Sequence, residues 1–188
     1  MKKFLGVLCL PVLFLLACDK AVIDERGYQI FTIKQGGHSS SNSLQSFHDS
    51  ILKFNAIFDS SAIYSSEIKN NQNDVNKLFG MSDCGVNHHV NSARLGWRWK
   101  DDSLELFSYV YINTIRKINF LTSCKIGEEI ACSITASNSK YIFDIKGVHY
   151  EEVRSCNGQD HWLLHPYFGG DEVAPHDVVI RVNYEIKT

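Results

Sequence analysis

The sequence predicts an all-β protein, an antiparallel β-sandwich, and three observations carry that reading. Apolar and polar residues alternate with period two along several segments. Turn-forming residues recur about every 8–12 residues, and no long stretch keeps the 3.6-residue period of an amphipathic helix. The 188 residues, 44% of them hydrophobic, are enough for one well-buried core and few for two. Charged residues at 21% with 12% aromatics exclude a wholly disordered chain. A formal net charge of −2 argues against a protein built to grip nucleic-acid phosphates, so no nucleic acid is expected as a partner.

At the start, Lys2 and Lys3 precede an apolar run from Phe4 to Ala17. At about 14 residues it falls short of the roughly 20 that span a bilayer and has the form of a secretory signal helix. It ends Leu15-Leu16-Ala17-Cys18, which resembles the lipobox of bacterial lipoproteins. That resemblance implies cleavage before Cys18, diacylglycerol on its sulfur and acylation of its new amine. The expected organisation is therefore a signal peptide at 1–17, a lipidated tether at 18–27 and one sandwich domain at 28–188. The expected place is the bacterial cell envelope, on a membrane through the lipid, with inner or outer leaflet open.

The domain reads as a series of short strands. Tyr28–Ile33 alternates, and Leu52, Phe54, Ala56 and Phe58 share one face of a second strand. Ala93, Leu95, Trp97 and Trp99 line a third, and Leu104–Ile112 is a fourth. Segments 117–123, 130–136 and 140–146 follow, and Val178, Ile180, Val182, Tyr184 and Ile186 give the last strand an apolar face. Stretches 36–43 and 65–76 read as loops, and short helices are expected at 43–50 and 74–79.

With Cys9 in the signal and Cys18 lipidated, Cys84, Cys124, Cys132 and Cys156 remain. An even number in an exported domain points to two disulfides, with three connectivities open. Cys124 and Cys132 flank Glu128 in an expected turn. Set opposite one another in a hairpin they would bridge, leaving Cys84 with Cys156.

Alternation also builds a candidate site. Arg94 and Arg98 lie opposite the apolar set of their strand, as do Glu105, Phe107, Tyr109 and Tyr111 on the next. Paired with apolar faces together, the two strands gather guanidinium groups and aromatic rings on one outer face. Flat rings are platforms for sugars, and Arg forks hold carboxylates. The glycan-binding candidates are Lys77, Arg94, Arg98, Glu105, Tyr109 and Tyr111; cross-strand packing on a solvated face is the competing reading.

Longer motifs carry a resemblance. Asp74-Val-Asn-Lys-Leu-Phe-Gly80, Asn91-Ser-Ala-Arg-Leu-Gly-Trp-Arg-Trp99, Leu104-Glu-Leu-Phe-Ser-Tyr-Val-Tyr111, Ile126-Gly-Glu and Tyr141-Ile-Phe-Asp-Ile-Lys-Gly147 occur in order. The series is similar to concanavalin-like antiparallel β-sandwiches (jelly rolls), and within them to polysaccharide lyases. Asn76 and Phe79 stand where those lyases have Gly and Pro, and their later strand with Gln and Asn has no counterpart. The segment Leu164-His-Pro-Tyr-Phe-Gly-Gly-Asp-Glu-Val-Ala-Pro-His-Asp177 resembles a group of uncharacterised bacterial lipoproteins.

The incomplete lyase pattern favours a non-catalytic glycan-binding module, with a polysaccharide lyase or a structural envelope protein as alternatives. For a lyase, Arg94 or Lys77 would neutralise a uronate, with Tyr109 or Tyr111 as base and acid. No catalytic set is fixed by the sequence. His88-His89, Asp160-His161, His165 and His176-Asp177 fit no metal-ligand spacing, so neither metal nor cofactor is expected. Asp171, Glu172 and Asp177 offer oxygens for calcium at a rim but lack EF-hand periodicity. His176 is expected to lock the turn into the last strand, Gly169-Gly170 to supply positive φ, and Trp162 to lie in the core.

Overall fold

The computed structural model describes residues 21–40 and 43–186. The expected signal helix and Cys18 lie outside these residues. Thirteen strands are described: β1 (Val22–Ile23), β2 (Gln29–Ile33), β3 (Ser46–Phe47), β4 (Ile51–Phe58), β5 (Asn76–Ser82), β6 (Ser92–Lys100), β7 (Ser103–Ile112), β8 (Ile115–Cys124), β9 (Glu129–Ala136), β10 (Lys140–Ile145), β11 (Val148–Val153), β12 (His161–Leu164) and β13 (Val178–Glu185). Two short 3-10 turns, Ser60–Ala62 and Lys69–Asn73, are the helical elements among the described residues.

The strands form two antiparallel sheets, ordered β1-β2-β13-β4-β9-β10-β11 and β3-β12-β5-β6-β7-β8. Their facing sides make the core, where Phe31, Phe47, Phe58, Phe79, Trp97, Tyr141 and Phe143 are fully buried. The alternation explains why: Leu52, Phe54, Ala56 and Phe58 of β4 all point inward, as do Ala93, Leu95 and Trp97 of β6. Within 18–27, read as a tether, Val22–Ile23 pair with β2.

The two expected helices are strands instead. Part of 43–50 is β3, paired with β12, and most of 74–79 is the start of β5. In β5 the register shifts between Lys77 and Gly80, so the adjacent Leu78 and Phe79 are both fully buried. With Val75 just before the strand, the apolar positions 75, 78 and 79 imitate a helix in sequence, although Val75 packs on the outer face and Leu78 and Phe79 in the core.

One expected disulfide forms, Cys84–Cys156, while Cys124 and Cys132 are free and buried. The hairpin assumption fails for the second pair. Cys124 ends β8 in the six-stranded sheet and Cys132 lies on β9 in the other. The turn between them crosses from one sheet to the other, so the two strands never pair.

Candidate functional site

The side of the six-stranded sheet turned away from the core carries three cross-strand rows. Antiparallel register sets Trp162, Ser82, Ser92, Tyr111 and Arg116 in the first. Leu164, Gly80, Arg94, Tyr109 and Ile118 make the second. Tyr167, Lys77, Gly96, Phe107 and Phe120 make the third, with Tyr167 reaching Lys77 by an isolated bridge. Arg98 opposite Glu105 lies one step beyond. All six residues singled out in the sequence therefore share one face. Trp162, expected in the core, stands on this face and is 39% exposed, because β12 turns it outward.

The face divides into two parts. At one end, Arg98 Nε donates to Glu105 in a close ion pair, and Arg98 Nη1 donates to the Asn73 carbonyl at 2.9 Å. The Arg98 guanidinium also lies 4.9 Å from the centroid of the Phe107 ring. These charges satisfy each other, so Arg98 and Glu105 act as a cross-strand clamp.

At the other end cations dominate, and the Asp74 carboxylate acts on Lys77 and Arg116 only from beyond ion-pair distance. Among the described residues, Lys77, Arg94 and Arg116 have no ion pair with a carboxylate within 4.0 Å. The sequence reading placed Arg94 and Tyr109 in solvent, yet they are only 7% and 4% exposed. Val75 packs with Phe107 and Tyr109, and the Lys77 ammonium lies 5.3 Å from the Tyr109 ring. The same ammonium lies 5.3 Å from the Tyr167 ring and donates to the Gly169 carbonyl at 2.6 Å. Arg94 passes over Gly80, where an added Cβ would sit 2.9 Å from its Cγ. Its Nη2 donates to the His165 carbonyl at 2.5 Å, and its buried Nε has no partner among the described residues.

Burial shapes the electrostatics. It pushes the Lys77 ammonium down to about 8, with Arg94 and Arg116 adding repulsion. It lowers Arg94 to about 10, against weaker support from Tyr109 and Tyr167. His88 is pushed down to about 4 by burial, then by His89, Arg94 and Lys77, so its imidazole is neutral at neutral pH. The Tyr109 phenol is raised, chiefly by burial, and stays protonated, with Arg116 bonded to it. Tyr111 touches Tyr109 and His89, and His38 stacks on Tyr167 with ring centroids 5.2 Å apart. The arrangement offers fixed positive charge, phenol donors and ring faces, which together suit an acidic, ring-shaped ligand.

Tyr167, Arg116 and His88 were not among the expected site residues. Arg116 sits one residue before the segment read as a strand from 117. His88 reads in the sequence only as part of a His-His pair, and nothing local in the sequence tells that Tyr167 returns beside Lys77.

The rim acids are engaged in loop ties. Asp177 accepts from Lys34 Nζ at 2.8 Å and the Gln35 amide at 2.9 Å. Glu172 accepts from the Ile68 amide at 2.7 Å and Asn71 Nδ2 at 3.0 Å. His176 Nε2 lies 2.9 Å from the Ser61 carbonyl, which fastens the turn into β13, and Gly169 has φ +70° in the loop before it.

No family model matches the chain, and no curated protein matches it. Solved structures do. Alginate lyase AlyC3 has a TM-score of 0.60 at 12% identity, over 90% of this chain and 78% of that one. SCLam, a non-specific endo-β-1,3(4)-glucanase of family GH16, has 0.55 at 8%, over 84% and 70%. The catalytic domain of an endo-1,3-β-glucanase (laminarinase) from Thermotoga petrophila RKU-1 has 0.55 at 10%, over 87% and 79%. At such identities the likeness shows architecture alone: the chain folds as a concanavalin-like jelly-roll sandwich.

Proposed function

We propose that the basic, aromatic face binds an acidic polysaccharide, a uronate-bearing chain, without cleaving it. The observation that carries this is the cluster of Lys77, Arg94 and Arg116, none of which makes an ion pair with a carboxylate among the described residues. A sugar carboxylate on this face would balance the excess of positive charge, and Tyr111, Phe120 and Trp162 offer ring faces to the sugar. The likeness to sandwiches whose names record action on alginate and β-glucan supports a glycan ligand. The cations, offset only in part by Asp74, favour an acidic chain over a neutral one. On this reading the domain is displayed on the bacterial envelope by lipid on Cys18, as Leu15-Leu16-Ala17-Cys18 implies. Cys18→Ala should abolish acylation and membrane partition; protein that remains acylated and membrane-bound would end the anchoring proposal.

A second reading rests on His88. A neutral imidazole near Arg94 and Lys77 meets one requirement of β-elimination. His88 would take the proton beside the carboxylate, Arg94 and Lys77 would hold the charge that develops there, and the protonated Tyr109 would donate to the departing oxygen. Titration with oligouronates, followed for heat and for the ultraviolet absorbance of an unsaturated uronate, separates the readings. Heat without new absorbance supports the binding module. Rising absorbance promotes the lyase. Neither signal with any acidic glycan sinks both.

A further inference from the structure

The Cys84–Cys156 disulfide joins two dissimilar surroundings. Cys84 follows Asp83 at the end of β5, and Asp83 is completely buried. Asp83 accepts from Arg154 Nε at 2.6 Å, Arg154 Nη2 at 2.9 Å and the Tyr141 hydroxyl at 2.6 Å, with His161 Nδ1 at 3.2 Å. Burial raises its pKa, but His161, Arg154 and Tyr141 outweigh burial and hold it below the usual carboxylate range. It is therefore a fixed negative charge beside the sulfurs.

The two sulfurs meet this network through different contacts. Cys84 Sγ accepts from the Gly158 amide at 3.0 Å and lies 3.7 Å from Arg154 Nη2. Cys156 Sγ lies 3.3 Å from Asp83 Oδ2. Both sulfurs lie within 4.8 Å of an Asp83 oxygen, but Cys156 Sγ makes the close contact with it, and Cys84 Sγ is the one beside the Gly158 amide and Arg154. Both cysteines are partly exposed, with exposed Gly85, Val86, Ser155 and Asn157 around them.

We propose that this disulfide is a directed thiol-exchange site, at which a small external thiol becomes attached to Cys156 while Cys84 departs. The incoming thiolate forms a bond to Cys156 Sγ, the Cys84–Cys156 bond breaks, and its electron pair goes to Cys84 Sγ. There the Gly158 amide and Arg154 stabilise the new thiolate. The reverse choice would leave a thiolate on Cys156 against the Asp83 carboxylate. A second thiol molecule attacks the external sulfur of the mixed disulfide. It leaves as the oxidised dimer of the reductant, and Cys156 takes up a proton. Two electrons pass from two thiols to the protein. The released Cys156 thiol then donates to Asp83, turning the 3.3 Å contact into a hydrogen bond. This inference is independent of the glycan reading. Among the described residues the free thiols Cys124 and Cys132 do not compete, because burial raises both, Cys124 to about 12.

The test uses the folded full-length chain and limiting glutathione at neutral pH, quenched with acid and then N-ethylmaleimide. Peptide mass spectrometry should find glutathione on Cys156 and maleimide on Cys84, in at least about tenfold excess over the reverse pattern. Glutathione mainly on Cys84, equal labelling of both, or a bond that opens only on unfolding would overturn the proposal. Single variants give a second measurement. In Cys156→Ser, Cys84 should react with iodoacetamide about tenfold faster at neutral pH than Cys156 does in Cys84→Ser. Equal rates in the folded variants count against it.

Discussion

Lys77 and Arg94 hold positive charge where water is largely excluded, and that opposes folding. The Lys77 ammonium titrates at about 8 in the fold against an ordinary 10.5. Between those values the unfolded chain binds more protons, so stability rises with pH across that window. The penalty is complete below about pH 8 and gone above about pH 10.5. Its upper bound is about 3 kcal/mol, and the bond to Gly169 and the two ring contacts recover about 1–2 kcal/mol. Lys77→Met is therefore expected to raise stability at neutral pH by about 1 kcal/mol while weakening acidic-glycan binding. Denaturant titrations should show that gain shrinking near about pH 10, and wild-type binding should fall as the pH passes about 8. A loss of stability at neutral pH would make Lys77 a structural residue instead. Glu105 provides the contrast. Its only described role is to pair with the partly exposed Arg98, so Glu105→Gln should change stability by less than about 1 kcal/mol and leave binding unchanged.

At the scale of the element, β5 decides the site, and Gly80 decides β5. A Cβ there would lie 2.3 Å from the Ala93 carbonyl and 2.6 Å from Arg94 Cα, so backbone of the neighbouring strand must move. Gly80→Ala is expected to cost about 1–3 kcal/mol and to displace Arg94. Both a lowered unfolding midpoint and weakened binding are expected; an unchanged midpoint would show the β5–β6 spacing to be softer than described. The same strand marks the limit of what local pattern reveals. In β6 and β7 alternation tells which residues face the core, and so that Arg94 and Tyr109 share the outer face; their direct pairing is set by the strand register. In β5 the bulge places Leu78 and Phe79 inward together, and period two disappears. β12 has four residues, too few to display a period, and the polar edge strand β11 alternates only between partial burial and exposure. Tyr167 joins Lys77 across 90 residues of chain, a proximity that only tertiary pairing creates.

For the whole molecule, the decisive covalent link joins a loop of one sheet to the exit of the other. Cys84 follows β5 of the six-stranded sheet, and Cys156 follows β11 at the edge of the seven-stranded sheet. The bridge spans 72 residues, so its loss would release unfolded-chain entropy worth about 4 kcal/mol. The native side of the balance changes less, because Arg154 and Tyr141 still bind Asp83 without the bridge. Replacing both cysteines by alanine should therefore keep the fold while lowering its stability by up to about 4 kcal/mol. Urea unfolding distinguishes this cause from packing damage. A cross-link compacts the unfolded chain, so its removal should steepen the dependence on urea as the midpoint falls. A cavity in the native state would lower the midpoint and leave the slope alone. A fallen midpoint with an unchanged slope would place the effect in the packing around Asp83, and an unchanged midpoint would mean that the buried network alone holds the two sheets in place.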